Sequence, residues 1–359
     1  MFGIVNLFTG KNMKIILIAL LPLYVFLFIV FAAACAENSI AENDTGILKD
    51  AFQNAGEIPG IKSLVISKDG EIIKEQYWHT GGPGKPHDVR SVTKSVMSLL
   101  IGIAIDKGFI TSAEETIGKY LKQVVPDMKE QYSSVKIKHL LTMSGGFSGN
   151  ELAVPSEYIV WFNSANQVNY ILNKPIVAQP GQTFRYNSGA LHLLSVILSV
   201  ATNMSTQEFA KQYLFGPLGI AQSYWEKDKQ GYNNGGAGLN ITPHDMIKIG
   251  QLILNRGEFN GNRIISKDWI DKTIQTNIST NNAQPYGPGY GFCWWTGQNS
   301  KGNYAFANGY GGQFIVVFPA LNLVVTATNE WNNVSSSSAN NNWMQTLDLI
   351  MNQIVPEVD

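Results

Sequence analysis

Apolar and polar positions change period several times along this chain, and the changes mark its parts. "SLVISKDGEIIKEQYW" reads as two strands joined by a tight turn at Asp69-Gly70. From residue 91 the period becomes helical, over 91–107, 156–172, 189–202, 206–214 and 243–256. Lys107-Gly108 closes the first of these with a basic last turn and a glycine beyond it. After the glycine- and aromatic-rich "PYGPGYGFCWW", short apolar runs return as "NYAFAN", "QFIVVFP" and "LNLVVTATN". "NNWMQTLDLIMNQIV" predicts a closing helix. Strands at both ends around a helical middle predict an α+β fold of the α/β sandwich kind. One antiparallel sheet would be built from both termini and flanked by helices, with a mostly helical region inserted. The expected body is 45–359, with 45–108 and 284–359 forming the sheet part and 109–283 the helical part.

The helix over 91–107 carries a lysine where apolar residues otherwise crowd. Its polar or small positions are 91, 94, 95, 98 and 102, spaced by three and four, while Leu99, Leu100, Ile103 and Ile105 fill the rest. This is a buried helix with one polar seam, and Ser91 and Lys94 share that face. An unpaired buried ammonium is costly. Either the Lys94 stem snorkels to solvent, or chemistry wants an amine beside the hydroxyl. A serine hydroxyl is a poor nucleophile until a base takes its proton. Lysine serves when desolvation or nearby cations lower its pKa. The pattern S-x-x-K is short, and Ser133-Ser134-Val135-Lys136 is a second literal match. There "SSVKIKHLL" alternates, which sets Lys136 and Lys138 on a solvated strand or loop edge.

Further segments add to the seam. "PGQTFRYNSGALHLLSVILS" places Tyr186-Asn187-Ser188 between a Pro-Gly turn and an apolar helix, and "ANGYGGQFIVVFP" sets Tyr310-Gly311-Gly312 at a strand start. With "RSVTKSVMSLLIGIAIDKG", "IKHLLTMSGGF" and "GGAGLNITPHDMIKIGQLILNRGEFNG", in that order along the chain, the sequence resembles the serine beta-lactamase and penicillin-binding-protein superfamily. It looks closest to the branch of class C-like beta-lactamases, D-alanyl-D-alanine carboxypeptidases, carboxylesterases and 6-aminohexanoate-dimer hydrolases. The resemblance runs from about residue 45 to the C-terminus.

That resemblance implies a beta-lactamase/transpeptidase-like fold, with Ser91 acylated, Lys94 as its base and Tyr186 passing the proton to the leaving group. It implies an oxyanion hole from the backbone amides of Ser91 and Gln313, and substrate contacts from Ser188, Tyr310, Gly311 and Gly312. Tyr232-Asn233-Asn234 matches Y-x-N more literally but has no "PGxxF" lead. Two departures bear on the substrate: Ser188 is shorter than the family's asparagine, and Tyr310 stands where a lysine would hold a carboxylate. The acidic residue that positions deacylating water in class A enzymes has no visible counterpart. The expected activity is hydrolysis of a small ester or amide through an acyl-enzyme on Ser91. The alternatives are carboxypeptidase or beta-lactamase chemistry, or a non-hydrolytic penicillin-binding relative. The aromatics Tyr286, Tyr290, Trp294 and Trp295 would line an acyl pocket or fill core.

Composition narrows the remaining classes. A chain of 359 residues, 45% hydrophobic, with net charge −1, presents no broad basic face for nucleic acid. The histidines, at 79, 87, 139, 192 and 244, form no H-E-x-x-H pair, so neither metal nor other cofactor is expected. There is no G-x-S-x-G nucleophile elbow. Residues 1–36 read as an export signal: Lys11 and Lys14, then an uncharged run from Ile15 to Ala34, then "FAAACAENS". Three readings stay open: a lipobox with Cys35 lipidated, A-x-A cleavage at Ala34-Cys35-Ala36, or an uncleaved membrane anchor. Each puts the body outside the cytoplasm, in a bacterial setting. Cys293 then has no partner and is expected to be a small core residue.

Overall fold

The computed structural model describes residues 48–358; the export segment and Cys35 lie outside them. The chain enters through α1 (Lys49–Gly56) and the hairpin β1 (Ile61–Lys68)–β2 (Glu71–Tyr77). Asp69 and Gly70 both take positive φ, 52° and 90°, as a two-residue hairpin of this hand requires. β3 (His87–Asp88) leads into α2 (Val92–Asp106). The insert carries α3 (Ile137–Leu141), α4 (Ser156–Phe162), α5 (Gln167–Leu172), α6 (Ser188–Thr202) and α7 (Thr206–Ala210). Short β4 (Tyr224–Trp225) and β5 (Leu239–Ile241) return to β3 as a three-stranded patch. Then come α8 (Pro243–Leu254), the hairpin β6 (Glu258–Phe259)–β7 (Asn262–Arg263), and α9 (Lys267–Ile274). β8 (Ile278–Ser279), β9 (Gly289–Tyr290), β10 (Trp295–Asn299), β11 (Gly302–Gly309), β12 (Gln313–Phe318) and β13 (Leu323–Asn329) precede α10 (Ser336–Leu349).

The main sheet runs β2-β1-β13-β12-β11-β10-β9-β8, antiparallel throughout, so strands from both ends of the chain meet at β1–β13. Side-chain alternation shows that both faces are covered. On β13, Asn329 bonds Thr346 of α10, while Val324 packs against Gly250 of α8 on the opposite face. On β12, Phe314 meets Trp343 of α10 and Ile315 faces α8. Strands buried on both sides need no polar alternation: after Gln313, β12 is apolar throughout, and β13 is buried along its whole length although it carries Thr326, Thr328 and Asn329. β2 is the exposed edge and carries Glu71, Lys74 and Glu75, which discourage edge-to-edge pairing. The α+β sandwich expected from the pattern is the fold found.

Several boundaries differ from expectation for physical reasons. The run 156–172 breaks into α4 and α5 because polar groups recruit the backbone between them. The Gln167 amide donates to Phe162 O, and the Asn166 side chain caps α5 by accepting from Asn169 N. β8 joins the sheet ahead of residue 284, and α8 rests on β12 and β13, so the helical insert ends before α8. "IKHLL" is a single helical turn and not a strand. Lys136 precedes it, with its N–H donating to His139 Nδ1 at 3.2 Å and its ammonium paired with Glu114 at 2.9 Å, and the buried Ser133 hydroxyl has no partner. The second S-x-x-K match therefore holds no serine–lysine pair.

Candidate active site

The site begins with a strained entry to α2. Arg90 takes a left-handed φ of 49°, which costs a non-glycine residue about 1–2 kcal/mol. Asp88 holds it there, accepting from Arg90 N at 2.8 Å and from its guanidinium at 3.2 Å. Val89 N donates to Leu239 O, tying this turn to β5. The Arg90 side chain lies 4.1 Å from the Trp331 ring centre and donates to Tyr158 Oη at 3.2 Å. Its charge is thus committed to Asp88 and two aromatic partners.

α2 is buried from Val92 to Ala104. A helix apolar almost all round belongs in a core, and the polar seam explains itself there. Ser95 Oγ donates to Cys293 O, and Trp269 lies across the seam, with Nε1 donating to Ser98 O. At the top sit Ser91 and Lys94. Ser91 is the N-cap residue, yet its hydroxyl does not cap α2. Instead Lys94 Nζ donates to Ser91 Oγ at 2.7 Å and to Gly236 O at 2.7 Å. Lys94 does not snorkel: it is 1% exposed. Burial pushes its pKa down to about 8, with Arg90 pushing the same way while Glu151 and Cys293 oppose.

Tyr186 completes the cluster. Its ring centre lies 4.9 Å from Lys94 Nζ and it stacks on Trp295 at 5.9 Å. Burial raises its phenol pKa despite a hydrogen bond with Ser91, so it stays protonated through neutral pH. Asn187 caps α6 by accepting from Ala190 N at 2.8 Å, which turns Tyr186 inward at the helix start. Ser188, 1% exposed, directs its hydroxyl to Glu151 Oε2 at 2.6 Å, and its N–H meets Glu151 Oε1 at 2.6 Å. That hydroxyl is taken by a carboxylate.

The β11–β12 turn forms the facing side. A Cβ on Gly309 would stand 2.4 Å from Val89 O, so only glycine lets this hairpin approach the nucleophile turn. Tyr310 is exposed at the tip, and Gly311 and Gly312 have positive φ, 78° and 100°. Gln313 is buried; its amide exchanges hydrogen bonds with the Asn329 backbone at 2.9 and 3.1 Å, fixing the first residue of β12. Tyr290, Trp294 and Trp295 are core, and Tyr286 bonds Asp348 at 2.7 Å. Cys293 is free and buried.

Several contributors escaped the sequence. Glu151 sits in a loop, "GNELAV", with no motif around it. The Gly236 carbonyl is aimed by Asn234, whose Oδ1 accepts from Gly236 N at 2.8 Å and Ala237 N at 3.2 Å. The literal Y-x-N at Tyr232 thus shapes the loop that receives Lys94. His192 and Asp228, both buried, hold the same loop: His192 Nδ1 accepts from Gly235 N at 3.1 Å, and Nε2 meets Asp228 Oδ2 at 3.0 Å. Among the described residues no cluster of side chains suits a metal ion.

A helix–sheet–helix sandwich whose buried helix opens on a bonded serine–lysine pair defines the penicillin-binding and beta-lactamase class of serine hydrolases. The Beta-lactamase family model matches residues 48–346, and the chain belongs to that family. It is 23% identical over 289 residues to the 6-aminohexanoate-dimer hydrolase of Paenarthrobacter ureafaciens, covering 75% of this chain and 72% of that protein. The octameric penicillin-binding protein homologue from Pyrococcus abyssi matches with a TM-score of 0.67 at 23% identity, over 86% of this chain and 78% of the other. EstCE1, a hydrolase with promiscuous acyltransferase activity, matches with a TM-score of 0.65 at 16% identity, over 84% and 97%.

Proposed function

We propose that the protein is an exported serine hydrolase that cleaves a small ester or amide through an acyl-enzyme on Ser91. The observation that carries this reading is the 2.7 Å contact between Lys94 Nζ and Ser91 Oγ at the start of a helix buried from Val92 to Ala104. With Lys94 neutral, that contact reverses, and the amine takes the hydroxyl proton as Oγ adds to the substrate carbonyl carbon. The backbone amides of Ser91 and Gln313 stabilise the resulting oxyanion. Collapse expels the alcohol or amine, which receives the Lys94 proton through the Tyr186 hydroxyl. Water then attacks acyl-Ser91, releases the acid and restores the hydroxyl. The two hydrolases among the similar proteins, one of them with promiscuous acyltransferase activity, support this reading.

A pH profile tests the base. Burial has lowered the Lys94 pKa, and the neutral amine is the active form, so its fraction grows as pH rises through about 8. The acylation rate constant of a neutral aryl ester is expected to rise about tenfold per pH unit below that value and level off above it. A rate flat from pH 6 to 9 contradicts an amine base.

The substrate class rests on Tyr310. A lysine there would offer fixed charge to a substrate carboxylate, whereas tyrosine offers one hydroxyl and an apolar ring. Arg185, a candidate to replace that charge, lines a separate small cavity with His139, Met143 and Phe147. Arg90 is nearer the serine but is ion-paired to Asp88. Leu152 and Val154, which follow Glu151, are exposed and apolar. Short-chain esters are therefore expected to be turned over, and nitrocefin and benzylpenicillin barely or not at all. Tyr310→Lys is expected to shift kcat/KM about tenfold toward carboxylate-bearing substrates. A wild-type kcat/KM for a beta-lactam above that for every ester in the panel sinks the assignment.

A further inference from the structure

Glu151 has no place in the mechanism above, yet the geometry commits it to the site. Its N–H donates to Tyr186 O at 2.9 Å, and its two oxygens accept from Ser188 N and Ser188 Oγ at 2.6 Å each. One residue of a distant loop is thus bonded at three points to the segment that presents Tyr186. The loop is itself held, since Glu157 Oε2 accepts from Asn150 N at 2.7 Å. Ser188 N can only donate, and with the Ser188 hydroxyl donating to the other oxygen the two contacts suit the ionised acid.

Charge balance points the same way. Lys94 and Arg90 are cations of the site, and Arg90 is matched by Asp88. Lys94 makes no ion pair of its own; its bonds run to Ser91 and the Gly236 carbonyl. The charged or titratable groups that act on it are Glu151, Arg90 and Cys293, with the neutral Tyr186 ring beside it. Those that act on Glu151 are Lys94 and Glu157. Burial raises the Glu151 pKa, while Lys94 and the two Ser188 donors favour its charged form.

We propose that Glu151 is a positioning residue of this centre. Through Ser188 it takes the place of the longer amide side chain at that motif position, and its carboxylate is the counter-charge of Lys94. The short Ser188 leaves room for the carboxylate, and the carboxylate fixes both the Tyr186–Ser188 backbone and the proton affinity of the base. The pair titrates together, so the acid limb of the rate profile belongs to both groups. This inference rests on the proposed Ser91 chemistry and deepens it.

The test is the pH dependence of Ser91 acylation by a neutral fluorophosphonate, followed by intact mass. It is run on the wild type, Glu151→Gln, Ser188→Ala and the double variant. Losing the negative charge disfavours the ammonium, so Glu151→Gln is expected to move the acid limb about one pH unit downward. The plateau is expected to fall about ten- to a hundredfold. Ser188→Ala keeps the charge, so its limb should stay while its plateau falls. The double variant should lose less than the product of the two single losses, because both remove one contact. A purely structural role lowers the plateau and leaves the limb where it was; that result, or an upward shift, overturns the proposal. Should Glu151→Gln not fold, Glu151→Asp answers instead: the charge retreats by one methylene, so the limb moves down by less, and an unmoved limb overturns it. No labelling of the wild-type serine refutes the Ser91 reading itself, whereas wild-type labelling with an unmoved Glu151→Gln limb refutes this inference alone.

Discussion

Ser91→Ala is expected to lower kcat by about five to six orders of magnitude and abolish covalent labelling, with secondary structure and Tm near wild type. The hydroxyl bonds Lys94 and Tyr186 and does not cap α2, so its removal leaves the helix start as it was. Fluorophosphonate labelling followed by peptide mapping gives the answer directly. Label found in the alanine variant, on any serine, would remove Ser91 from the mechanism. Following loss of label with time in the wild type separates a turning-over hydrolase from a relative that acylates and stops. Complete retention of label over hours argues for the latter.

Lys94→Ala is expected to cost about three to four orders of magnitude in acylation rate, with covalent labelling slowed by the same factor. The amine is buried and bonded to the hydroxyl it would deprotonate in the proposed reaction, and no other basic side chain bonds Ser91 among the described residues. The variant also deletes a buried cation, leaving Glu151 without its counter-charge, so Tm is expected to fall. Lys136→Ala serves as the contrast, because Lys136 is half-exposed and paired with Glu114 at 2.9 Å. An exposed pair of this kind contributes about 0–1 kcal/mol. That variant should acylate at the wild-type rate, and equal losses from the two lysines would show that the contact with Ser91 has no catalytic meaning.

What the sequence made legible was local. The Asp69-Gly70 hairpin, α2 and α6 each carry their signal within a dozen or so residues. Ser91 and Lys94 lie one turn apart, so helical periodicity alone puts them together. Tyr186 needed the order of motifs, because its meeting with Lys94 is made by the packing of α6 on α2. Glu151 and the Gly236 carbonyl were out of reach. Their partners sit in other loops, and a carboxylate in a loop or a backbone oxygen has no periodicity to betray it. The same limit explains α8: its amphipathic pattern announced a helix but not that β12 and β13 are what it covers.

The pairing of β1 with β13, from Ile61 opposite Asn329 to Lys68 opposite Leu323, also governs when the serine–lysine site can be built. Contacts between such distant parts of a chain form late and slowly. A nascent chain lacks β11, β12 and β13 until residue 329 has been made, and α2 lacks those strands to rest on before then. Without that burial Lys94 keeps an ordinary ammonium and Ser91 an ordinary hydroxyl. An unfinished or unfolded copy therefore lacks the buried serine–lysine pair, which is assembled only with closure of the sheet.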